Sequence, residues 1–269
     1  MLRRFFEINR RMSRWLERRL PQAREDLFAV YETTVARHMN ARSGQLVADV
    51  GGGKGCPFSR FRQPELGTRI VAVDVEPGEL RDNRDVDEAR IADIMTGLPF
   101  AAREVDMIVS RSVLEHLTSV EAFIASSSSA LKDGGYFIHL VPARNAPFAV
   151  LNRALPAWLS RRIMHFFHPH TVGICGFPAF YDRCDAGSLT SLLDSHGFDI
   201  EECRVSYYQS RYFEFFFPLY VVSVLYELAA LATRRSALAA YVLIVARRRR
   251  AAESTAFGTQ SFAVEHARR

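Results

Sequence analysis

Four apolar runs, Leu46–Val50 and residues 70–73, 107–110 and 136–141, recur along the chain with helix-length segments between several of them. Apolar residues at consecutive positions, rather than alternating ones, describe strands buried on both faces, so the pattern predicts a parallel sheet covered by helices. Residues 119–131 place Val120, Phe123, Ile124, Ser127 and Leu131 near helical spacing, and Gly134-Gly135 stops that helix. A second helix is expected over residues 188–195, which carry Leu189, Leu192 and Leu193 and end at Gly197 before the strand Phe198-Asp199-Ile200. Residues 241–245 read as the last strand, and Arg247 to Arg250 with the polar tail beyond read as a solvated end.

The punctuation of these strands carries chemistry. The first run breaks after Asp49 into Gly51, Gly53 and Gly55, and glycine leaves no Cβ between the backbone N–H groups and a ligand. An ordinary glycine-rich turn is the plainer alternative. The second run ends in Asp74, about twenty residues later, where a doubly wound fold holds a ribose-binding carboxylate. NAD would satisfy that acid as well. Its fingerprint, however, needs a third glycine three residues after the second, and Cys56 stands there with Gly55 one residue earlier, so an adenosyl ligand fits better.

Further along come Ala92-Asp93-Ile94-Met95, Gly97-Leu98-Pro99-Phe100, the run ending at Ser110, Val113-Leu114-Glu115-His116-Leu117, and Leu131-Lys132-Asp133-Gly134-Gly135 before a strand. With D-x-G-x-G-x-G, this ordered series resembles the class I S-adenosylmethionine-dependent methyltransferases, strongly over residues 44–142 and loosely elsewhere. The resemblance implies an α/β, Rossmann-like, seven-stranded and mostly parallel sheet with helices on both faces, its last strand antiparallel. It implies S-adenosyl-L-methionine as cofactor: Gly51, Gly53 and Gly55 cradle the methionine and sugar, Asp49 holds the loop and the amino end, and Asp74 accepts from both ribose hydroxyls. Asp93 takes the adenine amino group, and the Ile94 N–H reads a ring nitrogen. His116 follows a strand on the side where ligands bind, and its ordinary pKa suits a general base for an acceptor that must lose a proton. Packing beside the cofactor or capping a helix is the alternative for His116, as strand capping is for the acids.

Composition changes this picture little. A chain of 269 residues, 48% hydrophobic and 24% charged, is expected to form one catalytic domain over residues 44–250, preceded by a helical segment (1–43) and followed by a polar tail (251–269). Cys56, Cys175, Cys184 and Cys203 form no C-x-x-C pair, which fits a reducing, cytoplasmic compartment, and no secretory h-region is read at the N-terminus. Net charge is +5 and the pI about 9.2, but the basic excess sits at the two ends. Ser110-Arg111-Ser112-Val113 also lacks the motifs of nucleobase methyltransferases, so nucleic acid is a poor candidate partner. His165, His168 and His170 with Cys175 and Cys184 match no metal-ligand spacing, so no metal is expected. Residues 145–185, rich in aromatics and prolines, are expected to form a lid or wall over the acceptor, with Tyr181 either touching it or buried structurally.

Two further stretches bear on the acceptor. Residues 2–20 put Leu2, Phe5, Phe6, Met12, Trp15, Leu16 and Leu20 largely on one helical face among arginines, a pattern that suits an anionic membrane surface or, equally, a helix docking its apolar stripe on its own domain. A transit peptide is disfavoured by Glu7 and Glu17. Residues 212–232 are apolar and aromatic, but their uncharged part between Glu214 and Glu227 is too short for a span of about 20 apolar residues, and Pro218 is expected to interrupt it. They are expected as an insertion that meets a membrane, a greasy acceptor or a second copy in a homodimer, or that simply packs in the core. The reading is a methyltransferase for a small-molecule, lipid-linked or glycan acceptor at the inner face of a membrane; the alternative is a methyltransferase fold kept as a binding module without turnover.

Overall fold

The computed structural model describes residues 2–23, 26–156, 158, 159, 162, 178–250 and 265–266. Its sheet is built from β1 (Leu46–Val50), β2 (Arg69–Asp74), β3 (Glu88–Ile91), β4 (Val105–Arg111), β5 (Leu131–Pro142), β6 (Phe198–Ser206), β7 (Tyr241–Arg248) and a two-residue β8 (Glu265–His266). The strand order is β3-β2-β1-β4-β5-β7-β6-β8. β1 to β5 are mutually parallel, and β7 runs antiparallel to both β5 and β6, as expected for the last strand of a seven-stranded sheet; β8 adds a short parallel pairing beside β6.

The central strands bury both faces. Val47, Ala48, Met107, Ile108, Val109, Phe137, Ile138 and Leu140 are all fully inaccessible, which explains their uninterrupted apolar runs. Each of these side chains other than Ala48 contributes about 1.5–3 kcal/mol by leaving water. β3 escaped the sequence reading for the opposite reason. As an edge strand of sequence Glu-Ala-Arg-Ile it buries little, and its residues alternate between half-buried and exposed.

Helices cover both faces of the sheet. α1 (Leu2–Glu17), α2 (Leu27–Met39) and the short α3 (Pro77–Arg81) precede β3; α4 (Val120–Ala130), α5 (Pro147–Ala154), α6 (Ala186–Ser195) and α7 (Phe217–Thr233) follow β4. Side-chain caps fix several starts: Asp26 accepts from the Phe28 N–H, Ser119 from Ala122 and Asp185 from Ser188. Pro218 does not interrupt the apolar insertion. It sits in the first turn of α7, where its missing N–H has no intrahelical partner to lose.

α7 is anchored by a buried acid. Glu227, inaccessible to solvent, accepts from the Gln209 N–H at 2.8 Å, from the Ser210 N–H and from Gln22 Nε2 at 3.2 Å, and burial raises its pKa. α1 and the turn after it pack on α7 through Leu16 and Leu20, which meet Tyr220 and Val224. Asn9 Oδ1 accepts from the Phe217 N–H at 2.8 Å, Ser13 Oγ donates to the Glu214 carbonyl at 3.2 Å, and Arg10 and Arg14 pair with the Glu214 carboxylate. The docking face of α1 is therefore partly polar: of the apolar residues read from the sequence, Leu16 and Leu20 dock, while Phe5, Met12 and Trp15 stay exposed. Among the described residues no helix is long and apolar enough to cross a membrane.

Candidate active site

β1 delivers the glycine loop at its carboxyl end. Gly51 has φ +67°, and a Cβ built on it would lie 2.3 Å from Val113 Cγ2, so the turn after β4 rests directly on the loop. Gly52, which the sequence reading passed over, is equally confined: a Cβ there would meet Ala72 Cβ at 2.9 Å and the Asp49 carbonyl at 3.0 Å. This is a cradle that any side chain would fill. Gly51, Gly52 and Gly55 line an open cleft with Tyr31, Asp49, Pro57, Phe58 and Arg111.

Of the acids predicted from sequence, Asp49 and Asp74 meet this loop, whereas Asp93 is tied to Asp74 only through the pairing of β3 with β2. Asp74, at the end of β2, accepts from the Gly53 N–H at 3.2 Å through one oxygen and from the Glu76 N–H at 3.0 Å through the other. Asp93 follows β3, whose Ile91 pairs with Asp74, and the Ala92 N–H donates to the Asp74 carbonyl at 3.0 Å. The exposed Asp93 carboxylate caps the Met95 N–H at 2.9 Å, while Ile94 packs half-buried against the core. Asp49 is buried beneath the loop. Loss of water pushes its carboxyl up to about 7, opposed by a hydrogen bond from the Cys56 thiol and by the Arg111 charge.

α2 closes the cleft from above. Tyr31 is buried, and Glu32 pairs with Arg111 at 3.3 Å and with Arg60 at 2.5 Å, tying the helix to β4 and to the turn after the loop. Sequence patterning gave no reason to single out Tyr31. Arg111 was visible only as a residue in a segment lacking a nucleobase motif.

Beyond β4 the chain turns through Ser112, which has φ +57°, into the stretch holding Glu115 and His116. His116 Nδ1 lies 2.9 Å from the Pro178 carbonyl. That oxygen only accepts, so Nδ1 carries the proton and the neutral ring keeps its lone pair on Nε2. Burial lowers the His116 pKa, and the same carbonyl partly offsets the fall. Glu115 is the site residue that sequence reasoning quoted without using. It is 5% exposed, its carboxyl is pushed up to about 8 by burial, and its Oε2 has no hydrogen-bond partner. Its backbone carbonyl accepts from the N–H groups of Phe180 and Tyr181.

An aromatic wall stands beside this acid. Phe148 stacks on Tyr212 at 4.5 Å between centroids, Tyr241 meets Phe148 at 5.7 Å and Phe28 at 5.3 Å, and the Tyr212 and Tyr241 hydroxyls share a hydrogen bond of 2.6 Å. Arg111 links the wall to the cleft, its guanidinium 5.8 Å from the Phe28 ring centre. Tyr181 is buried with φ +54°. His165, His168, His170 and Cys175 lie outside the described residues, and Cys184 is buried with its thiol donating to the Asp182 carbonyl. No cluster of three metal-ligating side chains occurs among the described residues.

A glycine cradle after β1, an acid at the tip of β2 and an antiparallel β7 between β5 and β6 define the class I methyltransferase architecture. A methyltransferase-domain family model matches residues 7–202. The chain belongs to that family, and its cofactor is S-adenosylmethionine. No curated protein matches the sequence significantly.

Solved structures agree on the fold. A geranyl diphosphate C-methyltransferase from Streptomyces coelicolor A3(2) is 14% identical with a TM-score of 0.52, covering 82% of this chain and 79% of its own. An S-adenosylmethionine-dependent methyltransferase from Mesorhizobium loti is 18% identical with a TM-score of 0.52, over 83% and 100% of the two chains. Phosphoethanolamine N-methyltransferase 2 from Haemonchus contortus, in complex with S-adenosyl-L-methionine, is 13% identical with a TM-score of 0.50, over 81% and 52%.

The position of Asp74 gives a direct test. Asp74→Ala removes the carboxylate expected from sequence to hold the ribose, together with the acceptor of the Gly53 N–H, so affinity for S-adenosylhomocysteine is expected to fall about a hundredfold, as for loss of charge-assisted hydrogen bonds. Isothermal titration calorimetry measures it. An unchanged affinity would remove Asp74 from the site.

Proposed function

We propose that the chain transfers a methyl group to a small acceptor with an apolar body, the lipid-linked class being favoured over a free small molecule or a glycan, at a membrane surface. The observation that carries this reading is the aromatic wall of Phe28, Phe148, Tyr212 and Tyr241 beside the buried Glu115, since apolar walls with a few placed polar groups suit an apolar ligand. Bound in the cleft, S-adenosylmethionine supplies a methyl group already activated on a sulfonium. Gly51, Gly53 and Gly55 hold its methionine and sugar, Asp49 its amino end, Asp74 the ribose, and Asp93 with the Ile94 N–H the adenine. Much of the acceleration then comes from alignment, which is worth about 7–11 kcal/mol in well-oriented cases.

His116 takes the proton that an acceptor hydroxyl or amine releases. Its Nδ1–H, held by Pro178, points the basic Nε2 away from that carbonyl, and burial keeps the ring neutral to lower pH than usual. His116→Ala is therefore expected to lower kcat about a hundredfold with little change in cofactor affinity. In the parent protein the acidic limb of kcat/KM should fall below the ordinary histidine value of 6.5. A limb at or above that value, or full activity in the variant, would exclude His116 as base.

The acceptor itself is found by labelling. Purified protein is incubated with methyl-labelled S-adenosylmethionine and whole extract of the source cells, and label is counted in lipid, water-soluble, glycan, protein and nucleic-acid fractions. Label in the lipid fraction supports this reading; label confined to nucleic acid or protein overturns it.

A further inference from the structure

α1 turns its most hydrophobic face outward. Phe5, Ile8, Met12 and Trp15 recur at intervals of three and four residues and are between 44% and 53% exposed, while the neighbouring stripe of Asn9, Ser13 and Leu16 holds the helix on the protein. α7, packed against α1, repeats the arrangement. Its outward residues Leu219, Val222, Leu225 and Leu228 carry no charge, and Val222 and Leu225 are 61% and 62% exposed.

The rim of this surface is basic. Arg4, Arg11 and Arg18, seven residues apart, are exposed along the edge of the α1 stripe, and the Arg19 guanidinium lies 4.0 Å from the centre of the exposed Trp15 ring. An apolar face bordered by arginines and a tryptophan is the arrangement of a helix lying at the headgroup level of a bilayer. Charge selects the occupant. A second copy seated face to face would bring the same arginines against these, whereas anionic headgroups complement them.

Topology places the surface at the acceptor end of the protein. Tyr241, the first residue of β7, pairs with Pro142 at the carboxyl end of β5 and with Ser206 at the end of β6, so the crossover holding α7 lies on the side where the cleft opens. We infer that the outer faces of α1 and α7 seat the protein on an anionic lipid bilayer, with the cleft beside the headgroups. The use of this seat rests on the lipid-linked acceptor proposed above; the binding itself does not.

The test is co-sedimentation of the full chain with phosphatidylcholine vesicles, with and without phosphatidylglycerol. The protein should partition to the anionic vesicles and be released by salt. Arg4→Gln, Arg11→Gln and Arg18→Gln should each weaken binding about fivefold. Ile8→Asp with Trp15→Asp, and Val222→Asp with Leu225→Asp, should abolish it while leaving thermal melting and S-adenosylhomocysteine affinity unchanged. Parent protein that stays in the supernatant with both vesicles overturns the inference. So does a dimer in sedimentation velocity that these aspartates disperse when no vesicle binding is seen, which would assign the surface to a second copy. Loss of S-adenosylhomocysteine binding in the parent would strike the methyltransferase reading instead and leave the vesicle result standing.

Discussion

Gly51→Ala is expected to weaken S-adenosylhomocysteine binding about a hundredfold or more, the largest loss from removing no functional group. Two costs add at this position. The new methyl would sit 2.3 Å from Val113 Cγ2, and Val113, β-branched and resting on the loop, has little rotamer freedom with which to withdraw. Overpacking of this kind costs about 1–3 kcal/mol. The left-handed backbone at φ +67° adds roughly 1–2 kcal/mol for a residue with a Cβ. The loop relieves both by moving out of the cleft, so the loss falls on the cofactor rather than on the sheet. Val113→Ala, which leaves the built Cβ no nearer than the 3.5 Å now separating it from Val113 Cβ, should restore roughly the overpacking share. Gly53 is a control: a Cβ there meets nothing nearer than 3.9 Å, so Gly53→Ala should show the backbone cost alone, about tenfold. Calorimetry on the four proteins decides it. Equal affinities throughout would mean that the loop is not the cradle.

The parts of this site legible in the sequence are those held by backbone geometry. Glycines at fixed intervals and acids at strand tips leave a signal because few residues can replace them, and the structure brings Asp74 onto the loop through the Gly53 N–H. Central strands were legible because burial on both faces forces continuous apolar runs. Edge strand β3 was not, since it buries little and its sequence Glu-Ala-Arg-Ile holds no continuous apolar run. Tyr31 and Arg111 reach the cleft through the packing of α2 over β4, and no local spacing encodes that crossing. For α1, periodicity revealed an apolar stripe but not which part of it would dock, because the choice is made by Asn9 bonding to Phe217 at the start of α7 and Ser13 to Glu214 three residues before it. Glu115 sat inside a quoted motif, yet its importance arises only from its burial beside Tyr181, Cys184 and Tyr241, residues distant in sequence.

Glu115→Gln should raise stability at alkaline pH while lowering methyl transfer. The folded carboxyl holds its proton up to about pH 8, whereas the unfolded group releases it near 4.5. Its contribution to stability is therefore fully present below about pH 4.5 and is lost as pH rises toward and through 8. The difference is on the order of 4 kcal/mol across that window. Glutamine has no proton to lose. Parent and variant should melt together near pH 5 and separate as pH rises, the variant gaining about 2–4 °C per kcal/mol. Asp49, pushed up to about 7, adds a slope of the same sign, but it is present in both proteins and cancels in the comparison. His116, its Nε2 3.8 Å from Glu115 Oε1, is also common to both. A buried acid with an unpartnered oxygen beside His116 is costly to keep, and we propose that its carboxyl O–H, protonated up to about pH 8, donates a hydrogen bond to the methyl acceptor, which an amide does more weakly. Transfer by Glu115→Gln should accordingly fall with KM for the acceptor raised and cofactor affinity unchanged. A variant that is stabilised at alkaline pH with acceptor kinetics intact would leave Glu115 a structural group; one with no pH-dependent gain would mean that the carboxyl is already ionised in the folded protein.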